Sequence, residues 1–154
     1  MRQPPSLSIV SMAISIHPEW DIELIRAFAL HPDIWPRIAD SNVNPDDWVP
    51  TFENSVYLFV KADRYIGYWW LQTKNSITVQ IHPVILPKYR KYSAESYRAI
   101  EKMIPCKKVM CEIPACYKDV VWFASRMGFE REGVLKGAID RDGIQDLIMM
   151  GKTL

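Results

Sequence analysis

One segment of the sequence combines positive charge with the predicted start of a helix. It reads PKYRKYSAES, and Lys88, Arg90 and Lys91 precede Ser93, where the helix is predicted to begin. The first N–H groups of a helix have no partner within the helix, and the helix dipole favours an anion there, so such a junction can hold a phosphate group. The same residues also fit an ordinary loop that leads into a capped helix and carries solvated basic side chains.

Three titratable side chains elsewhere could move protons. His82 follows a predicted strand, and an unperturbed imidazole has a pKa of about 6.5, which suits a general base. Glu112 lies on another strand and faces away from its apolar neighbours, and Tyr117 lies at the start of the last predicted helix. The alternatives stay open: a loop histidine held by Pro83, a solvated or salt-bridged glutamate, and a packed aromatic ring.

The spacing of apolar residues predicts the elements that carry these side chains. Strands are predicted over residues 10–16, 56–61, 65–72 and 77–81, and His17-Pro18 ends the first of them. Asp21 is the predicted N-cap of a first helix, which a short second helix follows. Residues 82–92 are predicted as a loop, and Ser93 at its end is the predicted N-cap of the next helix.

The C-terminal part continues with a strand over residues 107–113 and a helix from about Tyr117 that Gly128 ends. Asp142-Gly143 predicts a hairpin between strands 134–139 and 145–150. Gly67, inside a strand, predicts a bulge or a close backbone approach. The resulting order, β-α-α-β-β-β-α-β-α-β-β, indicates an α/β (α+β) fold in a single domain over residues 1–154.

The composition excludes several classes of protein. The chain has 154 residues, 49% of them hydrophobic, so it can bury a core and is not a disordered tail. A net charge of +1 disfavours nucleic acid as a partner, and no apolar stretch is long enough to span a membrane. Cys106, Cys111 and Cys116 form neither a CxxC metal pair nor an even disulfide set. We therefore expect a cytoplasmic protein without a metal.

Several longer segments resemble the GCN5-related N-acetyltransferase (GNAT) superfamily. The ending ASRMGFEREGVLKGAIDRDGIQDLIMMG is similar to the branch that acetylates the N-termini of ribosomal proteins. LIRAFALHPDIWPRIAD, SITVQIHPVILPKYR and EIPACYKDVVWFASRMGF resemble a divergent subgroup found in bacteriophage and bacterial genomes. The resemblance covers nearly the whole chain and implies a mixed, mostly antiparallel sheet flanked by helices.

The resemblance also implies an activity and a cosubstrate. Members of the superfamily bind acetyl-CoA in a cleft between two parallel central strands and transfer the acetyl group directly to a primary amine. The acceptor would be a protein N-terminus, a lysine or a small amine, and the enzyme a monomer or homodimer. The implied coenzyme site is the segment after the fourth strand: Arg90, Lys91, Tyr92, Ser93 and Ala94.

The sequence departs from the superfamily pattern at the site itself. Ser93 and Glu95 replace the small residues of the phosphate loop, Gln80 stands where a carboxylate is expected, and Ala124 replaces the usual tyrosine acid. The first candidate for the base is then His82, and the second is Glu112. Tyr117 is then the candidate acid for the leaving thiolate. Asp40, in the region that covers the acceptor, would suit a cationic amine.

These departures also allow a second hypothesis. The chain would then be a catalytically degenerate relative that keeps the fold, for example a phage virion protein or a host-interaction protein. Fold alone does not decide between the two.

Overall fold

Seven strands form one sheet in the part of the chain that the structure, a computed structural model, describes, residues 13–154. The strands are β1 Ser15–Glu19, β2 Ser55–Lys61, β3 Tyr65–Thr73, β4 Thr78–Ile85, β5 Lys108–Pro114, β6 Glu130–Asp140 and β7 Ile144–Thr153. Their order across the sheet is β1-β2-β3-β4-β5-β7-β6. Each neighbouring pair is antiparallel except β4 and β5, which are parallel.

In residues 13–154, four α-helices connect and cover the strands: α1 Ile22–Ala29, α2 Trp35–Ile38, α3 Ser93–Glu101 and α4 Lys118–Arg126. Short 3₁₀ helices occupy Pro45–Asp47 and Pro87–Tyr92. The order of helices and strands confirms the predicted order. Within residues 13–154, no helix is long and apolar enough to cross a membrane.

Both faces of the central strands are buried, and each face carries its own hydrophobic core. On one face, Leu58, Val60 and Trp69 pack with residues of α3 and α4. On the other face, Tyr57, Phe59 and Tyr68 pack with Ile25 of α1 and its neighbours.

The first strand differs from its prediction. β1 continues through His17 and Pro18 to Glu19, whereas the sequence predicts that the strand ends at His17-Pro18. Val10 and Met12, also predicted in this strand, lie outside the described residues. β1 is an edge strand with one partner, β2. A proline is tolerated there because half of an edge strand's N–H groups need no partner strand.

The closing hairpin confirms the Asp-Gly prediction. Asp142 and Gly143 have φ angles of 52° and 107°, the left-handed region that such a turn requires. Both strands are longer than predicted. On β6, register shifts between Arg131 and Gly133 and between Leu135 and Ile139 interrupt the alternation of apolar residues. A bulge of this kind hides a strand from a search for period-two spacing.

Gly67 on β3 confirms the predicted close backbone approach. Its φ is 150°, and a Cβ atom at this position would lie 2.1 Å from the carbonyl oxygen of Val84 on β4. The register also shifts beside it, between Val60 and Lys61. A side chain at position 67 would push β3 and β4 apart.

The two predicted N-caps have different outcomes. The Asp21 carboxylate accepts hydrogen bonds from the N–H groups of Glu23 and Leu24 at 3.0 and 3.2 Å, so this cap is confirmed. Ser93 is wrong as an N-cap, because it is already helical and its side chain caps nothing. The 3₁₀ helix Pro87–Tyr92 runs directly into α3, so no extended residue is present to act as a cap.

We expect Asp21→Ala to lower the free energy of unfolding by about 1 kcal/mol, the usual value of a lost N-cap. Ser93→Ala is the matched control, and we expect it to change that free energy by less than about 0.5 kcal/mol. Urea unfolding of both variants measures the difference. Equal losses in the two variants would contradict this assignment of the caps.

Candidate active site

A cleft opens where the two parallel strands separate. β4 and β5 pair only at Thr78 with Lys108, Val79 with Val109 and Gln80 with Met110. Beyond these pairs β4 continues to Ile85 and β5 to Pro114 without pairing to each other. A cavity of about 480 Å³ lies at this divergence, within the usual range of small-molecule sites.

His82 lies in this cleft on a strand, so its predicted loop location is wrong. Residues 82–85 continue β4 because they pair with β3, His82 opposite Trp70. The rings of these two residues stack with centroids 4.3 Å apart and an angle of 23°. Trp70 in turn stacks on Tyr57 of β2 at 5.9 Å and 5°. We call Tyr57, Trp70 and His82 the aromatic ladder.

The imidazole of His82 is neutral at physiological pH. Burial, assisted by the positive charge of Lys74, lowers the pKa of His82 to about 4. Its Nε2 atom is buried and has no hydrogen-bond partner among the described residues, and neither has Nε1 of Trp70. A buried polar atom without a partner costs about 1–3 kcal/mol, which a ligand that supplies the partner would recover.

Glu112 lies on the same face of the sheet as His82. On β5 the buried Val109, Cys111 and Ile113 face α3 and α4, so Glu112 faces the opposite side, as the sequence predicted. His82 shares that side, because its β4 neighbour Val84 belongs to the core around α1. Both His82 and Glu112 line the cavity from the two strands that border it.

Tyr117 lies across the same cavity, at the N-cap of α4. Its hydroxyl donates to the carbonyl oxygen of Pro36 at 3.4 Å, and the Arg37 guanidinium lies 4.6 Å from the centre of its ring. Burial raises the pKa of Tyr117, so the phenol stays protonated and can donate a proton.

The five residues of the predicted coenzyme segment are not equivalent. Arg90 and Ser93 line the cavity, and Lys91, Tyr92 and Ala94 do not. The N–H of Ser93 donates to the carbonyl oxygen of Arg90 because the segment is a 3₁₀ helix. The segment therefore presents fewer free N–H groups than a loop would.

Sequence reasoning missed an arginine that lines this cavity. The Arg141 side chain, in the turn between β6 and β7, is only 10% exposed. Its Nη1 pairs with Asp40 at 2.5 Å, and its Nη2 donates to the carbonyl oxygen of Ile38 at 2.9 Å. Its Nε is buried without a partner among the described residues. Arg141 therefore neutralises the charge of Asp40, which the sequence predicted would attract a cationic amine.

Ala124 provides part of the room in the cavity. It is buried on α4 and lines the cavity, at the position where the resemblance implies a tyrosine. Gln80 is also buried, and its Oε1 has no partner among residues 13–154. Neither residue can take the role of the acid or the carboxylate that it replaces.

Solved acetyltransferases share this architecture. A spermidine N-acetyltransferase from Vibrio cholerae, solved with CoA and spermine, matches with a TM-score of 0.75 and 15% identity over 92% of this chain and 95% of that one. An acetyltransferase of the GNAT family from Streptococcus pneumoniae matches with a TM-score of 0.69 and 14% identity over 92% and 99%. An N-acetyltransferase from Staphylococcus aureus Mu50 matches with a TM-score of 0.73 and 13% identity over 91% and 97%.

The fold of the chain is therefore the GNAT fold, a mixed and mostly antiparallel sheet with flanking helices, as the resemblance implied. No protein-family model and no curated protein matches the sequence. At identities of 13–15% the likeness establishes the fold alone, and it assigns no activity to this chain.

Proposed function

We propose that the protein is an N-acetyltransferase that moves an acetyl group from acetyl-CoA directly to a primary amine. The observation that carries the proposal is the divergence of β4 and β5, which places a neutral His82 with an unpartnered ring nitrogen inside a cavity. Acetyl-CoA supplies an activated acyl group, so the protein needs to bind it, orient an amine and accept a proton.

The residues of the cleft fit the coenzyme. β4 beyond Gln80 has backbone groups that β5 does not pair, and an extended chain with amide groups can lie along such an edge. Arg90 lines the same cavity and can contact the phosphates as a cation. Because the N–H of Ser93 is engaged with Arg90, we expect side-chain charge to contribute more here than backbone N–H groups.

His82 is suited to take the proton from the amine. Its pKa of about 4 is too low to deprotonate a free ammonium, so the acceptor has to reach the cleft as the neutral amine. The amine nitrogen becomes strongly acidic once it bonds to the acetyl carbon, and a weak base such as Nε2 of His82 can then accept its proton. The C–S bond breaks as the C–N bond forms, and the protonated Tyr117 is our candidate donor to the thiolate.

Glu112 is the second candidate base. It borders the cavity from β5, on the same side of the sheet as His82. A water molecule between the amine and its carboxylate could carry the proton. Substitution of His82 distinguishes the two, because Glu112 would maintain turnover in its absence.

The finer assignments rest on the sequence. The ending ASRMGFEREGVLKGAIDRDGIQDLIMMG supports a place near the branch that acetylates the N-termini of ribosomal proteins, and three other segments support the bacteriophage and bacterial subgroup. The spacing of the three cysteines supports a cytoplasmic site of action. The acceptor we propose is an amine, of a protein or a small molecule, and the enzyme acts as a monomer or homodimer. Spermine is bound in the Vibrio cholerae structure, which makes amines the first class to test.

A non-catalytic role is the second candidate, and one observation favours it. The 3₁₀ helix uses N–H groups that a phosphate loop would leave free, and Gln80 stands in place of a carboxylate. A phage virion or host-interaction protein with this fold would need neither. Such a protein would release no CoA from acetyl-CoA in the presence of amines.

Charge reversal at Arg90 tests the coenzyme site. We expect Arg90→Glu to weaken acetyl-CoA binding by about 1–3 kcal/mol, roughly 5- to 150-fold, because a charge-assisted contact becomes a repulsion. Calorimetric titration measures the change. Arg98→Glu on the exposed face of α3 is the control, and it should bind like the wild type. Equal affinities for Arg90→Glu and the wild type would place the phosphates elsewhere.

A further inference from the structure

Two guanidinium groups lie near Tyr117 in the cavity. Arg37 of α2 lies over its ring, and Arg141 of the β6–β7 turn is close enough for its charge to act on the phenol. Arg37 pairs with Asp119, with Nη2 at 3.0 and 3.1 Å from the two carboxylate oxygens, and Arg141 pairs with Asp40. Arg141 differs in that its Nε is buried without a partner among the described residues. Arg141 is therefore the better candidate for an additional contact.

Arg141 retains a buried donor for a ligand. Its two terminal nitrogens are held by Asp40 and by the carbonyl oxygen of Ile38, which fixes the plane of the guanidinium. The Nε–H is buried, and no acceptor among the described residues reaches it. A donor that is held rigidly and left without an acceptor in a cavity wall is suited to an oxygen of a bound molecule.

The charges of the cavity wall indicate what that molecule carries. Arg90 precedes α3 on the other side, so the charged residues left for the acceptor are Asp33, Glu112 and Asp119 against Arg37 and Arg141, and Arg37 pairs with Asp119. His82 adds no charge because it is neutral at physiological pH. Residues 13–154 contain no cluster of three or more His, Cys, Asp or Glu side chains that could hold a metal ion. Asp33 and Glu112 are therefore left for the amino group of an acceptor, and Arg141 for a negatively charged group.

We propose that the acceptor is an amine that also carries a carboxylate, and that Arg141 Nε donates a hydrogen bond to that carboxylate. The α-amino acids are the simplest members of this class. The inference rests on the proposed acetyl transfer and narrows its acceptor. Arg141 packs with α2, on the face of the sheet that carries His82, whereas Arg90 precedes α3 on the other face. The carboxylate site and the phosphate site are therefore separate.

The test compares each L-amino acid with its carboxamide, which keeps the side chain and removes the negative charge. KM is expressed as the concentration of neutral amine, because the carboxamide also lowers the pKa of the amino group. With saturating acetyl-CoA, we expect at least one amino acid to have a KM about tenfold or more below that of its carboxamide. In Arg141→Gln we expect this ratio to fall below about threefold. Arg141→Lys keeps a charge beside Asp40 but lacks the Nε–H group, and we expect it to lose the preference for the amino acid too.

Asp40→Asn separates carboxylate binding from structural bracing. It breaks the same ion pair as Arg141→Gln but leaves the guanidinium in place. If Arg141 binds the acceptor, Asp40→Asn keeps or increases the preference for the amino acid. If Arg141 only braces the turn against α2, the two variants lose activity alike, and that result would overturn the inference. Acetyl-CoA affinity should be unchanged in both.

A binding measurement keeps this test independent of catalysis. Calorimetric titration of the same amino acids and carboxamides into the protein reports the preference without acetyl transfer. If acetyl groups are transferred but no amino acid is preferred over its carboxamide, the inference fails and the proposed function stands. If nothing is transferred while amino acids bind through Arg141, the proposed function fails and the carboxylate site stands.

Discussion

Replacing His82 with glutamine is expected to lower turnover by roughly 10²–10⁴, the range for loss of a general base. Glutamine preserves much of the bulk that stacks on Trp70 but cannot accept a proton. Because His82 lies on the acceptor side of the sheet, its loss should leave acetyl-CoA affinity nearly unchanged. Steady-state rates and calorimetry on the same preparation measure both effects.

His17→Gln is the matched control for this substitution. His17 lies on β1 and contacts Ser15 and Tyr65, away from the cleft, so the rate of this variant should equal that of the wild type. If His82→Gln also keeps the wild-type rate, His82 is not the base, and Glu112 or a water relay takes its place.

The pH dependence of the rate carries the same prediction. Since burial lowers the pKa of His82 to about 4 from 6.5, half of the base should be lost near pH 4 and not near pH 6.5, in kcat measured with the neutral amine at saturation. The stability of the fold follows the same group. The unfolded state takes up the proton first, so the contribution of neutral His82 is complete above pH 6.5 and declines as the pH falls to about 4. His82→Gln should remove that decline.

Gly67→Ala is expected to lower the free energy of unfolding by about 3–5 kcal/mol, the range of severe substitutions. The added methyl group would lie 2.1 Å from the Val84 carbonyl oxygen and 2.7 Å from Cα of Ile85. Both are backbone atoms of β4, so no side chain can move aside. A φ of 150° is also unfavourable for alanine. Urea unfolding measures the loss.

Gly133→Ala provides the matched control on β6. No atom lies within 4 Å of a Cβ placed there, and its φ lies outside the range that favours glycine. We expect a change in unfolding free energy within about 0.5 kcal/mol. Equal effects at the two glycines would mean that the close approach of β3 and β4 does not constrain position 67.

The order of the elements could be predicted because each strand and helix carries a clear apolar period. The extent of β4 could not, because Pro83 is typical of a strand end. Beyond Gln80, however, β4 has a partner on one side only, the condition under which a strand accepts a proline. The sequence therefore predicts a loop at His82, although His82 faces the cavity from a strand.

The site was predictable where it depended on alternation within one strand, as for Glu112. It was not predictable where it depended on register between strands or on contacts between distant segments. The aromatic ladder exists because Tyr57, Trp70 and His82 are opposite one another on three strands. Arg141 contacts Ile38 and Asp40 about a hundred positions away, and nothing local in the sequence indicates that its side chain turns toward α2.

Release of CoA from acetyl-CoA in the presence of a panel of amines, with mass analysis of the products, tests the central claim most directly. The account predicts that wild-type protein releases CoA and forms an N-acetylated amine in equal amounts, and that His82→Gln forms far less of both. If the wild-type protein binds acetyl-CoA, yet releases no CoA above the protein-free control with any amine, the cleft is a binding site and the protein is not an acetyltransferase.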